Sequence, residues 1–471
     1  MIRPLALACV LLAAVAAASG QQAADLAIIN ASFLPASGKR TQAVAIVGEK
    51  IATVGSNAEI KPLIGERTRV IDARGRLLLP GFNDSHVHFM AIGNMFSTLD
   101  LREIGSRDEL LAHVRHYARF LPKGRWILGS GGSAALFKEV SGAELDAASP
   151  NNPLLLYNLQ PAIALANSAA LRSGGVTGSM PGIVNGASLD RVRRRVPSDH
   201  TRRWAEIAET ASNYAVSYGI TSVQDTDSDD HAALYREMAR DGRLKVRIYD
   251  CHGLPDVKKY IEAGLKAAAG DAMVRTGCLK GTAEDDTDLL PRVIAADKAG
   301  MQVLLHAIGE EQVRKALDVF EAAARANGNR DRRFRIEHAE RIRDEDIERF
   351  ARSGMIASMQ PHLFGWRSSD RRFQRLTSAK VNIAFGSDAP MTDIDPLLSL
   401  SVFGEAIFAE SVGYYTAGSA YAEFQENIKG TIEPGMLADI VLIDRDTDPD
   451  RIKTAAVTFT IAGGKVIYER G

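Results

Sequence analysis

His86 and His88 stand two residues apart in Pro80-Gly81-Phe82-Asn83-Asp84-Ser85-His86-Val87-His88, directly after the apolar run Leu77-Leu78-Leu79. In extended backbone, residues i and i+2 point to the same side, so the two imidazoles can converge on one metal ion. The same spacing also serves surface and packing histidines, and the pair alone does not decide between them. Downstream, His306, His338 and Asp388 each close a short apolar, strand-like run: Val303-Leu304-Leu305-His306, Phe334-Arg335-Ile336-Glu337-His338 and Ile383-Ala384-Phe385-Gly386-Ser387-Asp388. Ligand-type residues at the C-terminal ends of successive strands are how a (β/α)8 barrel assembles a site. Four imidazoles and a carboxylate make a nitrogen and oxygen donor set that suits Zn2+ best, with Mn, Fe or Ni as alternatives. Lys280 closes Arg275-Thr276-Gly277-Cys278-Leu279-Lys280 and falls in chain order between the first histidine pair and His306. Taken singly, it reads as a surface lysine at a strand end.

The elements that must position these residues show in the patterning. From Asp25 to Leu79 the chain is short and β-like, with Leu26-Ala27-Ile28-Ile29, Ala43-Val44-Ala45-Ile46-Val47, Ile51-Ala52-Thr53-Val54-Gly55 and Arg69-Val70-Ile71 between turn residues. The C-terminus answers with Ile440-Val441-Leu442-Ile443, Val457-Thr458-Phe459-Thr460-Ile461 and Lys465-Val466-Ile467-Tyr468. Two β segments flanking a long α/β stretch predict one small composite β-sandwich, residues 21–80 with 425–471, beside a barrel over 81–424. Between them helical and strand patterns alternate, as in βαβ units around a parallel sheet. Ser106 caps a helix to Phe120, on which His113 and His116 face solvent. Leu154-Leu155-Leu156-Tyr157 is a buried-type strand, and a helix from Thr201 to Tyr218 feeds the strand Ile220 to Asp225.

With 471 residues, 46% of them hydrophobic and 24% charged, the chain can bury a barrel and a satellite domain. A net charge of −1 leaves no electrostatic footprint for nucleic acid, and the cluster from Arg191 to Arg195 reads as a solvated loop. Met1-Ile2-Arg3-Pro4, the apolar run from Leu5 to Ala18 and Ser19-Gly20-Gln21 have the three zones of a secretory signal. The run is short of the roughly 20 residues that span a bilayer. Cleavage near Gly20 is therefore expected, giving a signal segment over 1–20 and a secreted or periplasmic mature chain with no membrane attachment. Cys9 leaves with it, and Cys251 and Cys278 remain, able to pair but too few for a disulfide framework.

The constellation resembles the amidohydrolase superfamily, in particular amidohydrolase family 3, the relatives of N-substituted formamide deformylase. The stretch from Pro80 to His88 carries the resemblance, with His306-Ala307-Ile308-Gly309, Ile336-Glu337-His338-Ala339 and Gly386-Ser387-Asp388-Ala389-Pro390. Leu99-Asp100-Leu101-Arg102, Ala164-Leu165-Ala166-Asn167-Ser168, Ala357-Ser358-Met359-Gln360-Pro361 and the segment from Lys429 to Asp439 extend it over the mature chain. The resemblance implies a (β/α)8 TIM barrel with one or two divalent ions, Zn2+ by preference. His86 and His88 would hold the first ion, His306 and His338 the second, and Lys280, as a carbamate formed with CO2, would bridge them. Asp388 would touch the first ion and serve as the general acid and base, with metal-activated hydroxide as nucleophile. The implied reaction is hydrolysis of a non-peptide C–N bond in a small-molecule amide, N-acyl or N-formyl substrate.

The chain also departs from the family pattern. Lys280 is followed by Gly281-Thr282-Ala283-Glu284-Asp285-Asp286 where the family continues with Phe-Ala-Asp-Gly. Gln160-Pro161-Ala162 replaces an Asp-Gly-His, Gly131-Gly132-Ser133 a Gly-Trp-Asp, and Glu310 an Asp. Short loops are expected at Gly281 to Asp286, His362 to Asp370 and Met391 to Asp395. These positions serve the substrate side, so a metal-binding but catalytically impaired barrel, acting as a small-molecule binding protein, stands as the rival reading. Six intact ligand positions favour the enzyme.

Overall fold

The computed structural model describes residues 22–32, 42–158, 163–176, 181–197, 200–284, 287–403, 407–444, 452 and 454–470. The expected signal segment over 1–20 and the stretch Gln160-Pro161-Ala162 lie outside them. Eight parallel strands follow one another around a barrel: β1 (Phe82–Val87), β2 (Ile220–Ser228), β3 (Arg247–Gly253), β4 (Val274–Thr282), β5 (Gln302–Ala307), β6 (Arg335–His338), β7 (Ile356–Met359) and β8 (Asn382–Phe385). Ladder pairing runs from β1 to β8. Just past the strands, the Asp388 N–H donates to the His86 carbonyl at 2.7 Å and the His88 N–H to the Ala389 carbonyl at 2.9 Å, bringing the first and last strands together.

The barrel helices form for the usual amphipathic reason. Glu310–Asn327 buries Val313, Ala316, Leu317, Phe320 and Ala323 at helical spacing against the barrel core. The Gln312 side chain closes its first turn by accepting from the Ile308 and Gly309 amides at 3.1 and 3.3 Å.

Both chain ends build the satellite. Leu26–Ile29, Ala43–Val47, Lys50–Gly55 and Arg69–Asp72 make one four-stranded sheet. Leu77–Pro80 crosses to pair antiparallel with Ile440–Ile443 in a second sheet, completed by Val457–Ala462 and Lys465–Glu469. Leu26, Ile28, Val44 and Ile46 share one apolar cluster with Leu78, Ile440 and Leu442, so the two sheets bury a common core. Under the barrel, buried Glu423 accepts from Asn83 at 2.7 Å, pairs with Lys429 at 2.8 Å and meets the Arg275 guanidinium. Arg247 likewise pairs with Asp439 at 2.8 Å, which joins the segment leading to the satellite to the barrel.

Three sequence expectations change. The alternating stretch after β1 does not feed the barrel: Leu99–Asp100, Ile127–Gly132, Leu154–Asn158, Ile163–Ala166 and Gly182–Asn185 form a separate five-stranded sheet. Leu155, Ala164, Ala166 and Leu171 belong to an apolar cluster of its own, which is why an insertion of this size can stand beside β1 and β2. The arginine cluster is only partly loop: Arg191 and Arg193 lie in the last turn of the helix Gly186–Arg193, where cations face the negative helix end, and Arg194 and Arg195 follow in an exposed turn. Two stretches read as short loops carry regular structure: β4 runs on to Thr282, and His362 lies in the helical turn Pro361–Phe364. Cys251 and Cys278 face each other across β3 and β4 and are joined as a disulfide. Among the described residues no helix is long and apolar enough to cross a membrane.

Candidate metal centre

The six residues singled out in the sequence meet at the C-terminal end of the barrel. His86 is buried in β1, and His88, one residue past the strand, keeps a near-extended backbone (φ −101°, ψ 83°) before the helix Phe89–Met95 begins. Their rings lie 5.7 Å apart and turn inward together. His338 ends β6 and Asp388 lies three residues beyond β8. Both adopt left-handed backbone, with φ of 72° and 61°. For residues other than glycine that conformation costs on the order of 1–3 kcal/mol, so the surroundings must enforce it. They do so at Asp388: Asp84 accepts from the Ser387 hydroxyl at 2.6 Å and from its amide at 3.0 Å, clamping the turn after β8 to the end of β1. Gly386 permits the approach, because a Cβ there would lie 2.5 Å from the His86 nitrogen.

One carboxylate oxygen gathers the first histidine pair. Asp388 Oδ1 lies 3.3 Å from His86 Nε2 and 3.2 Å from His88 Nε2. Lys280 Nζ approaches the same His86 nitrogen at 3.4 Å. His338 packs 4.9 Å from His86 and 4.4 Å from His306, ring to ring. His86, His338 and Asp388 offer donor atoms that all lie within 4.8 Å of one another.

What turns these rings inward is a set of partners that spacing alone did not reveal. His86 Nδ1–H donates to Glu337 at 2.5 Å, His88 Nδ1–H to Asp227 at 2.7 Å and His338 Nδ1–H to Gln360 at 2.8 Å. Each points Nε2 into the centre, the arrangement in which an outer oxygen fixes the orientation of a metal-ligating histidine. Glu337 is in turn held by Arg335, whose guanidinium meets it at 2.8 and 3.1 Å and also donates to the Ser85 carbonyl at 2.6 Å. The alternation in Arg335-Ile336-Glu337 is the one visible signal, two charges two residues apart on a strand whose residues are all buried. Gln224, which meets Arg335, and Asp225 and Asp227 stand in β2, a strand with no histidine to draw attention to it.

The charges suit a cation. Burial would raise the Asp388 carboxyl, but the hydrogen bonds from His86 and His88 outweigh it and hold the group well below the ordinary carboxylate range. Burial likewise opposes Glu337, and Arg335 with His86 keeps it ionised. Desolvation pulls His338 down to about 3, and it lowers His306 too, so both are neutral and able to ligate. Desolvation also pulls the Lys280 ammonium down to about 8. His88 goes the other way, raised to about 9 by its hydrogen bonds to Asp227 and Asp388. Two inward imidazoles on one carboxylate, two neutral imidazoles beside them and an easily deprotonated lysine fit one or two divalent ions of the zinc type. A cavity of about 630 Å³ lies elsewhere, on the inserted sheet, lined among others by Asp100, Arg102, Tyr157 and Arg193 and by none of the six.

The sequence matches the amidohydrolase family over residues 69–468. It is 28% identical to Protein LONG AFTER FAR-RED 3 of Arabidopsis thaliana, covering 94% of this chain and 92% of that one. It is 25% identical to N-substituted formamide deformylase of Arthrobacter pascens, over 95% and 99% of the two chains. Among solved structures it resembles an uncharacterized metal-dependent hydrolase from Pyrococcus furiosus, with a TM-score of 0.61 and 24% identity over 90% of this chain and 99% of the other. That likeness shows the barrel fold.

Proposed function

Because this chain belongs to the amidohydrolase family and is a hydrolase acting on C–N bonds other than peptide bonds, we propose that its substrate is a small-molecule amide, N-acyl or N-formyl compound, cleaved at the centre built around Asp388. The observation that carries this reading is the single Asp388 oxygen within 3.3 Å of both His86 Nε2 and His88 Nε2. His86, His88 and Asp388 would hold one ion, and His306 and His338 a second. Lys280 would bridge them as a carbamate: its neutral amine bonds to the carbon of CO2 and loses a proton. The chemistry that bound zinc-type ions supply is acidification of a water and polarisation of the substrate carbonyl. Asp388 would accept the proton of the attacking water as its oxygen bonds to the carbonyl carbon, and would return that proton to the leaving nitrogen as the C–N bond breaks. Asp227, accepting from His88 Nδ1–H at 2.7 Å, keeps the His88 ring turned toward Asp388. Glu337, fixed by Arg335, keeps the His86 ring from turning.

The inserted sheet and the loops after the barrel strands would select the substrate. At Met391 to Asp395 the chain remains irregular and Met391 is 66% exposed, which supports an open mouth that discriminates poorly by size. The N-terminal pattern and the Cys251–Cys278 disulfide support export, since disulfides persist in oxidising compartments. The test is metal analysis of the purified chain followed by hydrolysis of a graded series of N-formyl and N-acyl compounds. Metal-dependent release of the free amine is expected across the series, and its absence throughout would refute the reading.

A further inference from the structure

On β3 the side chains alternate between two environments. Tyr249 and Cys251 pack with Cys278 and Leu304, each two residues before a member of the barrel centre, so this face is the barrel interior. Asp250 and His252 therefore point the other way, toward the helices, where Tyr260 stacks on His252 with ring centroids 4.5 Å apart. Asp230, from the segment after β2, completes a group whose three donor atoms all lie within 4.8 Å of one another. We propose that Asp230, Asp250 and His252 form a second cation site, separate from the barrel centre, that takes one divalent ion of the zinc type.

The argument rests on what is left unpaired. Asp250 and His252 are 1% and 3% exposed, yet neither carboxylate oxygen of Asp250 nor Nδ1 of His252 has a hydrogen-bond partner. Thr276 decides the tautomer. Its hydroxyl donates to the Asp250 carbonyl at 2.9 Å, so toward His252, 2.6 Å away, it can only accept, and the imidazole proton sits on Nε2. His252 Nδ1 then presents a lone pair to Asp250 Oδ2 across 4.0 Å, acceptor facing acceptor in a buried space. Such an arrangement is costly unless a cation or a proton lies between. A divalent ion turns both atoms into ligands, and Thr276 then stands where an outer oxygen fixes a ligating imidazole.

The local charges agree. Burial, with Asp225 and Asp230 adding to it, pushes the Asp250 carboxyl well above the ordinary range. The Arg236 guanidinium and the Ala232 amide, which faces it outside hydrogen-bond geometry, act in the other direction without compensating. Burial lowers His252 and outweighs Asp230 and the Asp229 carbonyl, which faces the ring outside hydrogen-bond geometry, so the imidazole is neutral, the form that binds metal. Asp230 is exposed and paired with Lys259 at 3.1 Å, a surface contact weak enough for an entering ion to displace. One nitrogen and two carboxylate ligands, with the fourth position open to solvent at Asp230, make a zinc-type set.

The test uses the full chain, stripped with a chelator and titrated with Zn2+ alone, with bound metal counted by elemental analysis. Asp230→Asn alters an exposed residue and leaves the metal-free melting temperature unchanged. It should weaken one equivalent of zinc by at least about 10-fold, the lower range seen for loss of even an outer-shell partner, while zinc at the barrel centre is retained. His252→Gln should remove that equivalent. In a His86→Ala/His88→Ala background, which removes the first barrel ligand pair, the equivalent sensitive to Asp230→Asn should remain and respond in the same way. The proposal is overturned if zinc binding in the otherwise native chain is the same with and without Asp230→Asn and His252→Gln. That result would leave a proton as the only occupant, and the barrel centre would stand untouched by it.

Discussion

Removing Arg335 should cost this protein more stability than any surface change, and the cost should be recoverable. The side chain is fully buried and reaches Glu337, the Ser85 carbonyl at 2.6 Å, the Ser358 hydroxyl at 3.2 Å and Gln224. Hydrogen bonds to a charged group are worth about 1.5–3 kcal/mol each. Summing them would overshoot, because all of them share one guanidinium and are not additive. The deciding term is the carboxylate left behind: Glu337 is fully buried, and stranding one partner of a buried pair costs about 3–5 kcal/mol. Arg335→Met should therefore lower the unfolding free energy of the metal-free chain by that amount in urea, followed by circular dichroism. Adding Glu337→Gln removes the stranded charge but keeps an oxygen for His86 Nδ1. The double variant should thus be more stable than the single one. A loss below about 1 kcal/mol for Arg335→Met, or a double variant no better than the single, would refute the claim that the pair acts as a charge-compensated unit.

Asp388→Asn should keep the fold and most of the metal while turnover falls about 100-fold to 10,000-fold, since the amide fills the space without accepting a proton; steady-state kinetics beside elemental analysis checks both halves. Lys280→Ala should lose metal or activity and regain part of it with added acetate or propionate, and no response to either acid would argue against a carbamate bridge. Metal uptake should release protons: His88, raised to about 9, carries one at pH 7, so zinc affinity should strengthen as pH rises and level off near 9. Two units below that value the proton weakens binding about 100-fold, and an affinity flat from pH 7 to 9 would contradict it. In the His86→Ala/His88→Ala variant most of the barrel metal should be lost, as elemental analysis against the parent would show.

The four histidines and Asp388 proposed for the barrel centre stand out in the sequence by type and by their place near strand ends, which must converge on one barrel face, whereas Lys280 reads singly as a surface lysine and enters only through the family resemblance. Periodicity also announces the β segments of both chain ends, since each alternates or runs apolar between turn residues. What the sequence could not decide was anything settled by packing across distance. The strands between Leu99 and Asn185 have the same local pattern as barrel strands, and only their pairing with one another, over a core of their own, assigns them to a separate sheet. The hydrogen bonds that aim His86, His88 and His338 are donated to oxygens of Glu337, Asp227 and Gln360, 251, 139 and 22 positions away, and no local spacing encodes such partners. The left-handed turns at His338 and Asp388 are likewise tertiary, for isolated chains avoid that conformation at such residues and only the clamp from Asp84 and Ser387 makes it the stable one at Asp388. Residue type and spacing select which side chains can do chemistry. The distances that let them do it exist only once the barrel closes and brings the turn after β8 onto the end of β1.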